Sequence, residues 1–285
     1  MMRHGIYSLK GATHFDEGSE CQDFIISEKL YETVILIAAD GAGSSSNGKK
    51  GAQSICENVL NDIKKISKNI LERPATNENH IKKVIKNSIQ KTRKNILLGP
   101  NEKNDKYTII DLSKVSYWYK IPKDPIKYQL PIKLNDYAST FILAILGLNE
   151  CLCFHIGDGR IYGFNYLKDK DLDNFNFSQT ISSQPENGEY ANQTYFFTDE
   201  NWEDHLRVFS FNERIDALMI FTDGADPFLV SKDQLNSNKE IVNQIFNILK
   251  KDESINISQF LLDAFPIHKV HKVSSDDVSI GLAIL

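Results

Sequence analysis

Cysteine is scarce in this chain, and the few thiols form no metal-binding pattern. Cys21, Cys56, Cys151 and Cys153 are the four; no pair is spaced as CxxC, and no histidine cluster completes a zinc ligand set. A disulfide framework or a zinc module is therefore excluded, and the thiols read as buried groups in a reducing compartment. Cys151 and Cys153 alternate in "ECLCFHIGD", which places both on one face of a strand. Proline and glycine are also few, at 8 and 15 in 285 residues, and no repeat or low-complexity tract is present. No apolar run approaches the ~20 residues a bilayer-spanning helix needs. The start, "MMRHGIYSLKGATHF", lacks the apolar core of a secretory signal. The expectation is a cytoplasmic protein with no membrane partner. An excess of positive charge is missing too: 33 Lys and Arg face 38 Asp and Glu, a net charge of −5, which argues against a nucleic-acid partner.

What is present is an ordinary globular composition, 41% hydrophobic and 25% charged, with enough length to bury a core unaided. "DFIISEKL" and "TVILIAAD" read as paired strands. Apolar positions from Ala52 through Ile55, Cys56, Val59, Leu60, Ile63 and Ile66 to Ile70 have helical spacing, ended by Pro74. A second helix carries Ile81, Val84, Ile85 and Ile89 inward and a basic face of Lys82, Lys83, Lys86, Lys91, Arg93 and Lys94 outward. The pattern dissolves over 99–137. Strands return in "STFILAI", in "ECLCFHIG" and after "GDGR", then in "YFFT", "LRVFSF" and "ALMIFT". Helices over Lys239–Lys250 and Ile255–Ala264 precede a last strand, "DDVSIGLAIL". Strands and helices arrive in blocks, which favours an antiparallel α+β fold over a doubly wound parallel sheet.

The loop after Asp40 has the spacing Gly43-xxxx-Gly48-Lys49, but the residue that should be Ser or Thr is Lys50, so a phosphate-cradling P-loop is rejected. The aspartates at strand ends form the stronger pattern. Asp40-Gly41 follows "TVILIAA", Asp158-Gly159 follows "CLCFHIG", Asp223-Gly224 follows "ALMIFT", and Asp276-Asp277 opens the last strand. One such aspartate is ordinary turn chemistry. Several at the ends of strands that pack together would converge, and converging carboxylates need cations between them; hard oxygen ligands suit Mg²⁺ or Mn²⁺.

In this order, "GATHFDEGSECQDF", "AADGAGSSSNGKKGA", "STFILAI", "HIGDGRIYGF", "MIFTDGAD" and "SSDDVSIGLAI" resemble the metal-dependent protein phosphatase 2C family, nearer its bacterial branch. The resemblance runs from about Gly11 to the C-terminus as a single domain over 1–285, with 99–137 as an insertion foreign to the family. It implies a β-sandwich of two antiparallel sheets flanked by helices, with two Mn²⁺ or Mg²⁺ ions at one end. Asp40 would bridge the ions and the Gly41 carbonyl would ligate one. Asp223 and Asp276 would hold one ion, Asp23 would act on the other through waters, and Asp158 would serve a third, weaker ion. Asp40, Asp223 and Asp276 are the expected catalytic set. The implied reaction is hydrolysis of a phosphomonoester by a water between the two ions, on a phosphorylated protein, with a Ser/Thr kinase or its targets as partner. A phosphatase-like module without turnover, or a phosphoesterase acting on small molecules, are the alternatives.

Several positions depart from the family. Ala42 stands where many members have a histidine that could act as general acid, Gly18 where an arginine grips phosphate, and Gln22-Asp23 replaces a Glu-Asp pair. His14, Arg3 or a residue of the basic helix could substitute for that arginine; His14 is the substrate-binding candidate, with a ring that simply hydrogen-bonds in its loop as the alternative. Asp226 lies one residue nearer Asp223 than the usual third-metal partner and is not assigned to the site. His155, inside an apolar strand, is expected to be a core residue, and "SQPENGEYANQT" falls where the family carries a variable flap.

Overall fold

Runs such as "TVILIAA" and "FILAIL" lack polar alternation because both faces of these strands are covered. The computed structural model of the chain describes residues 2–98, 132–168, 175–186, 194–234 and 236–285. One sheet has the order β1 (Arg3–Leu9), β10 (Val278–Ile284), β9 (Ala217–Phe221), β6 (Arg160–Lys168) and β7 (Phe175–Ser183). The other has the order β2 (Phe24–Leu30), β3 (Thr33–Ala39), β4 (Phe141–Leu146), β5 (Cys151–Ile156) and β8 (Arg207–Phe211). Every strand pair in both sheets is antiparallel.

The helices complete four layers. α1 (Ala12–Asp16) is a short turn between β1 and β2. α2 (Gly48–Ile63), α3 (Lys68–Leu71) and α4 (Glu78–Leu98) follow β3, and α2 and α4 cover the outer face of its sheet. α5 (Trp202–His205) precedes β8 and α6 (Asp226–Leu229) follows β9. α7 (Lys239–Lys251), α8 (Ile257–Ala264) and α9 (Ile267–Val270) then cover the outer face of the β1–β10 sheet. Alternation within single strands shows how the layers divide. On β3, Ile35 and Ile37 face the helices while Val34, Leu36 and Ala38 enter the inter-sheet core. On β5, Leu152 and Phe154 face outward and Cys151 and Cys153 inward, their sulfurs 3.6 Å apart. No helix among the described residues is long and apolar enough to cross a membrane.

Four local readings are corrected. The helix expected across Ala52–Ile70 begins at Gly48 and stops at Ile63, and a separate turn of helix carries Ile70. β1 and β7 were not anticipated: β1 is only seven residues at the chain start, and β7 shows a mixed buried and exposed pattern that reads as loop. "YFFT" is not a strand; Phe197 donates its N–H to Ser139 O, and the segment turns into α5. The 99–137 segment lies outside the described residues up to 131. Leu134–Tyr137 forms a single 3₁₀ turn, and Gly51 of α2 packs directly on the Tyr137 carbonyl, where a side chain would collide.

Candidate metal centre

The antiparallel registers bring the aspartate-bearing strand ends to one end of the sandwich. Phe24 pairs with Ala39, so Asp23 and Asp40 are neighbours across β2 and β3. Phe221 pairs with Ile280 and with Arg160, so the end of β9 lies between the start of β10 and the turn carrying Asp158. Carboxylate oxygens of Asp40, Asp158 and Asp223 lie within 4.8 Å of one another. Asp276 joins Asp40, Gly41, Gln22, Thr13 and His14 on the wall of a cavity of about 240 Å³. Asp23 is buried behind the cluster, 5% exposed, and its Oδ2 accepts a hydrogen bond from Thr222 Oγ1 at 2.7 Å.

Burial and like charge set the electrostatics of the cluster. Burial, and then the charges of Asp158, Asp276 and Asp23, push the Asp223 carboxyl up to about 8. Asp23 is pushed up to about 7, first by burial, with Asp277 and Asp276 adding to the shift and Thr222 opposing it. Burial first, then Asp23, Asp223, Asp158 and Asp276, hold Asp40 well above the usual carboxylate range, and Asp158 is raised by the same kind of burial. One oxygen each of Asp23, Asp158 and Asp223 is buried without a hydrogen-bond partner. Buried, unpaired carboxylate oxygens facing one another are costly unless a cation accepts them. An all-oxygen donor set of this kind fits Mg²⁺ or Mn²⁺.

The surrounding loops keep the cluster in place. Asp40 N–H donates to Thr140 Oγ1 at 2.9 Å, and Thr140 N–H returns to the Asp40 carbonyl at 2.9 Å. The glycine and serine loop after Asp40 is pinned rather than open: Ala42 N–H reaches Ala138 O and Asn47 N–H reaches Asp136 O. Lys49 pairs with Glu20 at 2.8 Å on the surface, so it is not poised over a phosphate. Gly224 packs against the Asp277 carbonyl so closely that any side chain would collide, which locks the turn after β9 to the segment before β10. With its amide nitrogen facing inward, Gln22 donates to the carbonyls of Gly41 (2.7 Å) and Ala42 (3.2 Å). The Gly41 oxygen keeps a second lone pair.

Other candidates are placed elsewhere. The Arg3 guanidinium reaches the carbonyls of Leu249, Asp252 and Ile255 at the end of α7, so it does not serve the cavity. The basic helix α4 spends Lys86 on Glu203, Lys91 on Asp62 and Arg93 on the carbonyls of Phe197 and Asp199. Of the three sources named for a substitute arginine, His14 is the one on the cavity wall. Asp226 is held by Arg160 in a two-pronged ion pair (2.8 and 2.6 Å). His155 is a fully buried core residue, with Nδ1 2.6 Å from Ser183 Oγ and Nε2 buried without a hydrogen-bond partner.

Two residues that the sequence reading passed over matter here. Thr222 orients Asp23. Asp277, 1% exposed, accepts the N–H groups of Gly11 and Gln22 at 2.6 Å each and faces His14 Nδ1 at 2.9 Å. The only sequence signal for the second was the doubled aspartate, which does not say which member turns inward.

Comparison with known proteins concerns the family and the fold. The family model for protein phosphatase 2C matches residues 10–262. Serine/threonine-protein phosphatase 3 of Escherichia coli (strain K12) is 26% identical over 156 residues, spanning 54% of this chain and 58% of that protein. The S. agalactiae serine/threonine phosphatase superposes with a TM-score of 0.58 at 11% identity, covering 100% of both chains. The catalytic domain of PstP, solved in complex with 2 manganese ions, gives a TM-score of 0.55 at 15% identity over 99% of this chain and 97% of that one. At such identities the structural likeness speaks for the fold, and the family match over most of the length speaks for descent. The chain belongs to the protein phosphatase 2C family.

Proposed function

We propose that this protein removes phosphate from phosphoserine and phosphothreonine on protein substrates, using two Mn²⁺ or Mg²⁺ ions held at the end of the sandwich. Asp40, Asp223 and Asp276 would be the principal ligands, with the Gly41 carbonyl beside Asp40; Asp23 would act on an ion through waters, and Asp158 would serve a third, weaker ion. The observation that carries this reading is the approach of Asp40, Asp158 and Asp223 to within 4.8 Å, with unpartnered buried oxygens. When bound, the ions would lower the pKa of a water between them and offset the charge of the phosphoryl group.

The chain's own groups do the rest. The carboxylates hold the cations and, without them, repel a dianionic phosphomonoester. Thr222 and the β3–β4 hydrogen bonds keep Asp23 and Asp40 from moving as charge develops. His14 stands on the cavity wall where the substrate would lie. The partner would be a phosphorylated protein, a Ser/Thr kinase or its targets. Four free thiols, three of them buried and Cys21 half-buried, support a cytoplasmic setting.

Hydrolysis of 4-nitrophenyl phosphate and of a phosphothreonine peptide, with Mn²⁺, with Mg²⁺ and with EDTA, tests this directly. Metal-dependent turnover that disappears in Asp40→Asn and Asp223→Asn is the expected result. Metal binding by calorimetry without turnover would turn the reading toward a binding module, and turnover of small esters only would redirect the substrate class.

A further inference from the structure

A phosphoserine leaves as an alkoxide, which departs slowly unless it receives a proton. On this cavity wall Thr13 and Gln22 are not acids in the working range, and the proposed function assigns Asp40 and Asp276 to cations. The remaining ionisable side chain there is His14. Its side chain is 16% exposed, and its Nδ1 is fixed 2.9 Å from Asp277 Oδ2, while Nε2 has no partner among the described residues. Asp277 is itself immobile, because its two oxygens take backbone N–H groups from two separate segments, Gly11 and Gln22. Thr13 N–H, bonded to Ser275 O at 3.0 Å, ties α1 to the segment that bears Asp276. A buried carboxylate that orients one ring nitrogen and leaves the other unpartnered, on a residue that lines an acidic cavity, is the arrangement a proton-transferring histidine requires.

We propose that His14 is the proton donor to the leaving oxygen and that Asp277 is its positioning residue; the proposal rests on the hydrolase reading above. As water oxygen bonds to phosphorus, the bond from phosphorus to the seryl oxygen breaks with its electron pair. The seryl oxygen takes the Nε2 proton of the imidazolium, and the ring keeps its Nδ1–H on Asp277. The attacking water loses a proton to solvent and solvent returns one to Nε2, so the net change is phosphoserine plus water to serine plus hydrogen phosphate.

The test compares a phosphoserine peptide with 4-nitrophenyl phosphate, whose phenolate leaves without protonation. With Mn²⁺, His14→Gln should lower kcat about 100-fold on the peptide and less than about 10-fold on the nitrophenyl ester. Asp277→Asn should shift the same ratio in the same direction, and added imidazole should restore His14→Ala on the peptide. In the metal-free protein, nitrogen NMR of the His14 ring should show a protonated Nδ1 that Asp277→Asn perturbs, and Mn²⁺ affinity by calorimetry should hold in His14→Gln. Equal losses on both substrates, or no loss on the peptide, would overturn the proposal while leaving the hydrolase intact. Loss of Mn²⁺ binding in His14→Gln would assign the ring a structural role instead. Wild-type protein without metal-dependent turnover would bring down both readings together. His14→Gln leaves Asp277 and its backbone contacts in place, so the test survives if Asp277→Asn fails to fold.

Discussion

Asp23, Asp40, Asp158 and Asp223 are raised first by burial and then by neighbouring carboxylates, Asp276 among them in every case, and that has a cost which the metal-free protein carries. For a carboxyl raised in the fold, the associated stability is fully present below the ordinary 3.8 and is lost as pH climbs through the folded value, about 7 for Asp23 and about 8 for Asp223. The thermal midpoint of EDTA-treated protein should therefore fall between about pH 5 and about pH 9, and Mn²⁺ should raise it more at the alkaline end. A flat profile in scanning calorimetry would mean the carboxyls are not in one another's field. The same physics makes an opposed pair of effects at one residue. Asp223→Asn should abolish turnover yet raise the metal-free midpoint at pH 8, by ~2–4 °C for each kcal/mol of repulsion removed. A variant that lost both activity and stability would show Asp223 to be a turn residue.

At the scale of elements, the helices that cover the β1–β10 sheet can be perturbed without touching the site. Asn256 caps α8, its side chain accepting the Gln259 N–H at 3.0 Å, so Asn256→Ala should cost about 1 kcal/mol in urea unfolding and leave kcat unchanged. Gly5 is a sharper case. A Cβ there would stand 2.6 Å from Ser258 N and 2.7 Å from Ile257 Cβ, so Gly5→Ala should push α8 off β1 and cost ~1–3 kcal/mol. Strands buried on both faces, such as β3, β4, β5 and β9, were legible as unbroken apolar runs. β1 was not, because "RHGIYSL" is too short and mixed to stand out and becomes a strand by pairing with β10 along its full length. "YFFT" misled for the converse reason. Its residues have strand propensity, but Phe197 is buried under α4 and the backbone turns.

Across the whole molecule, the ion pair of Arg160 and Asp226 joins the β6 edge of the site to α6. Arg160 is 3% exposed, so Asp226→Ala leaves a buried guanidinium without its anion and should destabilise by about 3–5 kcal/mol, read as a lowered urea midpoint. Chelation is the complementary global experiment. Wild type should lose thermal stability on EDTA treatment and regain it with rising Mn²⁺, following the logarithm of metal concentration. By itself the sequence determined which strands would be buried and that Asp-Gly turns would end three of them, because burial on both faces and chain reversal are local demands on residue type. It also carried, as ordered motifs, the resemblance to a phosphatase family. What it left open was which carboxylates meet, that Asp277 rather than Asp276 turns into the fold, and that Arg3 and the basic helix lie away from the cavity. Those outcomes depend on the registers of the two sheets, which bring together residues more than a hundred positions apart, and pairing at that range leaves no local trace in the chain.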